Sequence, residues 1–444
     1  MTNILHPTRD GDRIVTLDIL RGIAILGILY LNILTMGGNW PALAASGNNP
    51  QVLSAGAADQ WAYRLVFAFL EGTQRGLLEF LFGASVILLT LRATAKDGPV
   101  EVADVYYRRA LWLVAFGVVH GTLLLWPGEI WTLYGLTALF VFPFRRLSPR
   151  ILATIGALGL MLVMAIATPK VLDKVALQDR VEQIQSRPAG AVLSMTEQAD
   201  MKRWKGLVEE RANQAKQLPD AKKATAGDYV ENLQYSTEFW YQFNLSALIS
   251  PAAGEAFFTM LIGMALFKWG ILQGGRSTRF YVALAILGYA VGIFVKWAMA
   301  DFRLAHHFGP VSIGAAVYDY GRIGTTLGHV GLVCLLLKSG IGRRVLAMFK
   351  APGRMPMTAY VGQTLICCWL LFPGFGLGLW GRFGWADLML IATAVNVLLI
   401  GFCNLWMLRY RMGPFEWVWR SLSYLERPTF RRDTSQSNPT AALA

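Results

Sequence analysis

Apolar residues along this chain gather in long runs, and they rarely alternate with polar ones. Runs of about twenty suit helices that cross a bilayer, where each backbone amide must find its partner within the segment. Ten stretches qualify: 15–35, 62–91, 106–126, 129–144, 151–168, 240–267, 280–300, 311–337, 356–380 and 385–408. The second is long and the fourth short. One segment breaks the pattern: 170–238 holds eleven basic and eleven acidic side chains, with helical spacing over Arg203–Lys216. The pattern predicts an all-α, polytopic membrane protein of about ten transmembrane helices, five plus five around a large extracytoplasmic loop. Its parts are an N-terminal membrane half, 1–169, the charged loop, 170–238, a C-terminal membrane half, 239–424, and a disordered cytoplasmic tail, 425–444.

The basic residues orient the spans. Arg9, Arg13, Arg108, Arg109, Arg145 and Arg146 fall on one side, with Lys268, Arg276, Arg343, Arg344 and the tail from Arg409 onward. The opposite short loops 36–61 and 127–128 hold no Lys or Arg. Cytoplasmic loops carry the basic excess, and long loops escape the rule, so both termini are expected inside a bacterial inner membrane. Of the 444 residues 55% are hydrophobic and only 16% charged, against about 25% charged in soluble domains. The net charge of +13 lies along the basic rim, so nucleic-acid binding is not needed to explain it. Ala42-Leu43-Ala44 resembles a signal cleavage site, but Asp18 and Arg21 interrupt the apolar run before it. Cys334, Cys367, Cys368 and Cys403 lie in apolar runs and suit space-filling thiols; no metal is expected.

Ionisable groups inside apolar spans are costly and tend to face protein or water. Asp18 and Arg21, at i and i+3 with Gly22 beside them, suit either a helix-end ion pair or an anion clamp. Glu71, Arg75 and Glu79 at i, i+4 and i+8 read as one stripe on the second span, either an intrahelical lock or the wall of a hydrated cavity. His120-Gly121 precedes the tight Pro127-Gly128-Glu129 turn and Tyr134, which makes His120 a candidate base oriented by Glu129 or Glu71. Asp319 and Arg322 repeat the i, i+3 pairing on the eighth span, and Glu255 adds a further buried acid. Adjacent histidines at 306 and 307 point to different faces and are discounted as a metal site.

Leu17-Asp18-Ile19-Leu20-Arg21-Gly22-Ile23-Ala24 through Asn32 resembles the first helix of YeiB-like membrane proteins. So do His120-Gly121 with Gly128-Glu129-Ile130, Gly353-Arg354-Met355 with Thr358, Tyr360 and Gln363, and the closing motif Gly413-Pro414-Phe415-Glu416-Trp417-Val418-Trp419-Arg420. The Asp-x-x-Arg-Gly helix is also similar to that of transmembrane acyltransferases, including the integral-membrane O-acyltransferases and the lysosomal heparan glucosaminide N-acetyltransferase. Those enzymes carry acyl groups from cytoplasmic acyl-CoA to sugars across the bilayer. The likeness implies an acyl-CoA site at Asp18, Arg21, Gly22, Asn32 and Arg75, and a catalytic set of His120, Glu129, Glu71, Arg322 and Asp319. In bacterial O-acyltransferases a histidine follows the helix-one arginine by eleven positions; Asn32 stands there in this chain. The implied partners are membrane lipids, acyl-CoA, an acceptor and a second copy of the chain. Two other readings stay open: a transporter or flippase of an anionic or lipidic solute, and a scaffold whose loop 170–238 binds a partner. The Trp417–Tyr424 stretch, flanked by Arg411 and Arg420, reads as an amphipathic segment at the interface.

Overall fold

A computed structural model describes residues 13–39, 56–93, 99–188, 192–215, 217–249, 251–306 and 311–432. Helix is the regular structure of these residues, apart from one isolated bridge between Tyr410 and Arg431. Among them six helical stretches are long and apolar enough to cross a membrane: Val15–Gly38, Ala57–Leu91, Pro149–Gln185, Thr278–Ala305, Ala316–Lys338 and Trp385–Arg409. The protein is therefore an all-helical membrane protein.

The first stretch, α1 (Val15–Gly27) and α2 (Leu29–Leu34), is central: 67% of its apolar window is buried, against 28% for Pro149–Gln185 and Thr278–Ala305. It ends in a π turn, Thr35–Asn39, where Gly38 takes a φ of 107° that only glycine adopts without strain. The second stretch is broken. Helix α3 (Ala57–Phe69) stops before Glu71, and α4 (Thr73–Ala93) starts after Gly72, whose φ is +64°. The predicted Glu71–Arg75–Glu79 stripe is thus corrected: Glu71 sits in the break, and only Arg75 and Glu79 share a helix. A side chain on Gly72 would strike the Tyr318 hydroxyl.

Helix α5 (Pro99–Gly121) turns into α6 (Trp131–Val141), whose eleven residues span about 16 Å, short of a bilayer on their own. Ser148 caps α7 (Pro149–Gln185) by accepting from the Ile151 amide, with Pro149 in the first turn. This helix runs through Pro169 for 37 residues, about 55 Å. The expected boundary between 169 and 170 is therefore not a break: the fifth span continues as a rod into the charged insert.

The insert is itself helical, with α8 (Met195–Ala215), α9 (Gln217–Ala226) and α10 (Tyr229–Ile249). Two of its helices begin with reciprocal caps. Ser194 and Glu197 exchange hydrogen bonds at 2.8 and 3.3 Å, and Asp228 and Glu231 at 3.1 and 3.0 Å. Arg180–Asp200 at 2.7 Å and Arg203–Asp173 tie α8 to α7. Hydrogen bonds from those guanidinium groups hold both aspartates below the usual carboxylate range. A depressed folded-state value means the stabilisation is present above the unfolded pKa and is lost as pH falls through the folded one. Hydrogen exchange across 195–215, corrected for intrinsic rate, should keep its protection at neutral pH and lose it below about pH 4. Unchanged protection in acid would show that the ion pairs do not hold the helices together.

Beyond the insert follow α11 (Pro251–Lys268), α12 (Thr278–Ala305), α13 (Gly314–Lys338), α14 (Gly340–Leu346) and α15 (Lys350–Arg354). Gly288 and Gly292 of α12 meet Gly324 and Gly328 of α13 backbone to backbone, the small-residue packing that lets helices associate without a hydrophobic drive in lipid. Helix α16 (Pro356–Thr364) continues as a π turn, Leu365–Leu371, and the chain then folds back, the Leu377 amide donating to the Leu370 carbonyl at 2.8 Å. The ninth predicted span, 356–380, is thus shorter than expected. Helix α17 (Trp385–Arg409) and the surface helix α18 (Pro414–Tyr424) close the fold. The tail was expected to be disordered from 425, but residues 425–432 fold back: the Arg411 amide donates to Phe430 O at 2.9 Å and the Trp417 indole to Pro428 O at 2.9 Å. Residues 433–444 and 307 lie outside the described residues.

Candidate functional site

Three polar assemblies lie along the bundle, and they differ in kind. The first gathers the acids and bases predicted on the second and eighth spans. Arg322, fully buried, reaches Glu79 at 2.7 Å, Asp319 at 2.7 Å and Thr259 Oγ1 at 2.8 Å. Arg75 donates to Glu255 at 2.8 Å and lies 3.6 Å from Glu79. Glu71 accepts from the Tyr318 hydroxyl at 3.0 Å. The buried ammonium of Lys296, which sequence reading passed over, caps the helix break by donating to the Glu71 carbonyl and to Thr73 Oγ1. Arg322, Glu79 and Asp319 are matched in charge, the arrangement that makes a buried charge tolerable, while Glu71 Oε2 and Arg75 Nε are buried without a hydrogen-bond partner among the described residues. Arg322, Asp319, Glu71 and Arg75 do not line the chamber of about 260 Å³ described next. Of the two readings of this stripe, the contacts favour the lock, since Arg322 and Arg75 each meet buried carboxylates.

The second assembly is a chamber of about 260 Å³. Its mouth presents Arg13, Arg21, Arg109, Arg354 and Arg420, against two carboxylates, Asp18 and Glu416. Arg21 donates to Asp18 at 3.2 Å and to the Gly353 carbonyl at 3.3 Å, and Arg13 stands 3.6 Å from Asp18. Arg109 lies 4.2 Å over the Trp419 ring and donates to the Tyr424 hydroxyl at 3.0 Å. Glu416 is already committed: its carboxylate accepts from the amides of Met357 (2.6 Å) and Thr358 (3.1 Å), capping α16. Arg420 makes no hydrogen bond or ion pair among the described residues, and its Nε is buried without a partner. Burial, with the fields of Arg13 and Arg109, pulls its guanidinium below the usual arginine value. The mouth therefore holds more cationic charge than its own acids balance, which is what an anion site needs. Behind it the walls turn apolar, through Ile25, Leu78, Leu81, Phe82 and Leu113, to Trp131 and Tyr134 at the deep end.

Gly22, beside Arg21 on the first helix, admits a neighbouring backbone. Any side chain there would strike the Phe349 carbonyl, and one on Gly353 would strike that of Asp18, so α1 and α15 cross in direct contact. This contact fixes Arg21 beside Gly353.

The third assembly surrounds His120, buried at the end of α5. Its Nε2 lies 2.8 Å from Thr364 Oγ1, and its Nδ1 has no partner among the described residues. The imidazole packs on Trp131, a chamber wall, and against the edge of Tyr360, both at 4.7 Å between ring centres. The Tyr360 hydroxyl accepts from the Trp126 indole at 2.8 Å and lies near Asn32, whose Nδ2 is buried without a hydrogen-bond partner among the described residues. Asn32 thus lies near Tyr360, the ring packed against His120, and not beside Arg21 as the acyl-CoA set implied. Glu129 and Glu71 do not orient the imidazole. Glu129 is spent on the amides of Trp131 and Thr132 and on the Trp240 indole at 3.2 Å, as the cap of α6. Thr364 is the group that holds His120.

Sequence reading missed Arg109, Arg354, Trp131, Tyr360 and Thr364. It also read 417–424 as an interfacial segment only, whereas Trp419, Arg420 and Tyr424 line the chamber. The signal available was the excess of arginines spaced along the basic rim; nothing in the sequence brings those arginines to one mouth. Tyr134 joins the chamber to the lock, its hydroxyl standing 3.1 Å from the Arg75 carbonyl and 3.4 Å from Glu79.

Residues 266–426 match a family model described as "Protein of unknown function (DUF418)". This span covers α12 to α18, and so Lys296, Asp319 and Arg322 of the lock, the His120 partners on α16 and the Arg420 helix, but not Glu71, Arg75, Glu79 or Glu255. Over 432 residues the chain is 28% identical to "Uncharacterized protein YxaH" of Bacillus subtilis (strain 168), covering 95% of this chain and 96% of that one. It is 27% identical over 432 residues to "Uncharacterized protein YeiB" of Escherichia coli (strain K12), covering 93% and 96%.

Proposed function

The chain is YeiB-like, and from that premise and the arginine-mouthed chamber we propose that it is a membrane acyltransferase that moves an acyl group from cytoplasmic acyl-CoA to an acceptor on the other side. In this reading the arginine end faces the cytoplasm, both termini lie there, and the chain crosses a bacterial inner membrane about ten times, with some crossings made of broken or shortened helices. One observation carries the reading: a cavity whose mouth offers five guanidinium groups runs along apolar walls to Trp131, which stacks on His120. A coenzyme A thioester has this polarity, with phosphates at one end and a thin, largely uncharged arm ending in the acyl group. Guanidinium forks suit phosphate oxygens, and the apolar walls suit the arm and chain. His120 is the base for the acceptor hydroxyl, with its unpartnered Nδ1 as the proton-accepting nitrogen and Thr364 holding the other. The Asn32 amide is the donor for the developing oxyanion. Trp131 screens the imidazole from the chamber, so transfer requires that ring to move.

The test is acyl-CoA binding to the purified protein in lipid nanodiscs, measured by calorimetry. Arg21→Ala should weaken binding by about ten- to a hundredfold, the worth of a charge-assisted hydrogen bond. Raised salt should weaken the wild type as well. Binding no weaker in Arg21→Ala would remove the chamber as donor site. The break between α3 and α4, capped by Lys296, favours a second reading, because discontinuous helices mark transporter sites. Proteoliposomes separate the two: a modified acceptor supports transfer, and an anionic or lipidic solute moved unchanged supports transport.

A further inference from the structure

His120 is fully buried. Three of its neighbours belong to the bundle: Trp131, Tyr360 and Thr364. A further cover comes from the insert. The Trp240 ring of α10 lies on Gly121, the residue after His120, so closely that a side chain at 121 would strike it. Glycine there makes a seat for the indole. The indole N–H donates to Glu129 at 3.2 Å, and the same carboxylate accepts from the Trp131 amide. One acid therefore ties the tryptophan of the insert to the tryptophan of the chamber wall.

Helix α10 is stiff, and its fastenings to the bundle are open to water. Tyr235, Phe239 and Phe243 stack along one face at 6.1 Å between ring centres. At the start of the helix the Tyr229 hydroxyl donates to the Leu123 carbonyl at 3.1 Å, an exposed bond, and the Tyr229 ring packs on Trp369 at 5.3 Å. Just before it, the Gly374 amide donates to the Thr225 carbonyl at 2.8 Å. A space of about 70 Å³ remains between Tyr235 and Phe239 on one side and Trp126 and Pro127 on the other, so the seam is not packed solid. Exposed bonds over a loosely packed seam mark the parts of a protein that open first.

We infer that α10 is the gate on the insert side of the His120 site and Trp240 its plug: the helix lifts as a unit, the indole leaves Gly121, and a molecule from that side reaches the imidazole. Glu129 passes the movement to Trp131. The imidazole then lies between two tryptophans, and opening one while the other stays closed keeps a reactive donor away from water. That the entering molecule is an acyl acceptor rests on the acyl-transfer reading; the gate does not.

Diethyl pyrocarbonate, which modifies neutral imidazoles, reads the gate without any acyl transfer. The full chain in nanodiscs is treated at neutral pH, and mass spectrometry follows each histidine. The measure is the rate at His120 relative to that at His329, a half-buried histidine on α13, so that general loosening cancels. Trp240→Ala should raise this ratio about tenfold or more, and Gly121→Ala, which crowds the indole off its seat, should do the same. Tyr229→Ala is the decisive variant. It lies eleven residues before Trp240, about 16 Å along α10, and its contacts are with Leu123, Trp369 and Phe375. It should raise the ratio too, because freeing that end lets the whole helix lift. A ratio unchanged in Trp240→Ala or Gly121→Ala would remove the plug. A ratio raised in Trp240→Ala and unchanged in Tyr229→Ala would make Trp240 a fixed cover, and either result overturns the inference. The expected ratios in a protein without acyl transfer leave the gate standing and remove the transfer reading. Acyl transfer with no rise in the ratio overturns the gate alone.

Discussion

Arg322→Met should destabilise the protein by about 3–5 kcal/mol, the cost of leaving two carboxylates buried with their shared cation removed. Glu79 and Asp319 both lie within 2.7 Å of that guanidinium, and neither side chain is more than 2% exposed. Neither can turn to water. The partner change Glu79→Gln costs less, because Asp319 still balances Arg322. Removing all three charges together, as Arg322→Met with Glu79→Gln and Asp319→Asn, should recover much of the loss, since a buried ionic group replaced as a unit by neutral ones is often close to neutral in stability. Thermal unfolding in detergent checks the order: the single arginine variant lowest, the triple variant between it and the wild type. An arginine variant as stable as the wild type would mean that the lock is hydrated, the other reading that the spacing of these charges left open.

The second large effect concerns His120. With the base removed, His120→Ala should lower acyl transfer by about 10²–10⁴-fold while leaving acyl-CoA binding within a few-fold of the wild type. Thr364→Val, which removes the hydroxyl at Nε2, should shift the pH dependence of the rate rather than abolish it, because it alters how the imidazole is held and not whether one is present. Glu129→Gln should instead cost stability, by loosening the start of α6, without moving the pH profile. Initial rates across pH for the three variants separate base, holder and cap. Turnover unchanged in His120→Ala would take histidine out of the mechanism.

Much of this molecule was legible in the sequence. Helices of bilayer length are written as uninterrupted apolar runs, and Asp18 and Arg21 one turn apart do form the ion pair that their spacing predicts. The break at Glu71 was hidden because a single Gly72 inside thirty apolar-rich residues does not by itself end a helix; the bend depends on Lys296 arriving from α12 to take the freed carbonyl. The chamber mouth was hidden for a similar reason. Arg109 and Arg354 read as rim charges, and only the crossing of α1 with α15 and the return of α18 across α5 set them around one space with Arg21 and Arg420. Glu129 looked like chemistry because buried acids are rare, yet it and Glu416 each satisfy amides at a helix start, a demand that arises only once helices are packed too tightly for water to serve.

The uninterrupted α7 has a mechanical consequence. A helix of about 55 Å that starts in an apolar stretch and ends bonded to α8 is weakened only at Pro169, whose missing amide leaves one carbonyl without its helical partner. A lean of the apolar part is therefore carried to the far tip, except for what the helix yields at that residue. At that length a ten-degree lean displaces the tip by roughly 10 Å, and membrane thickness, which sets helix lean, becomes a dial on how the insert sits over the bundle.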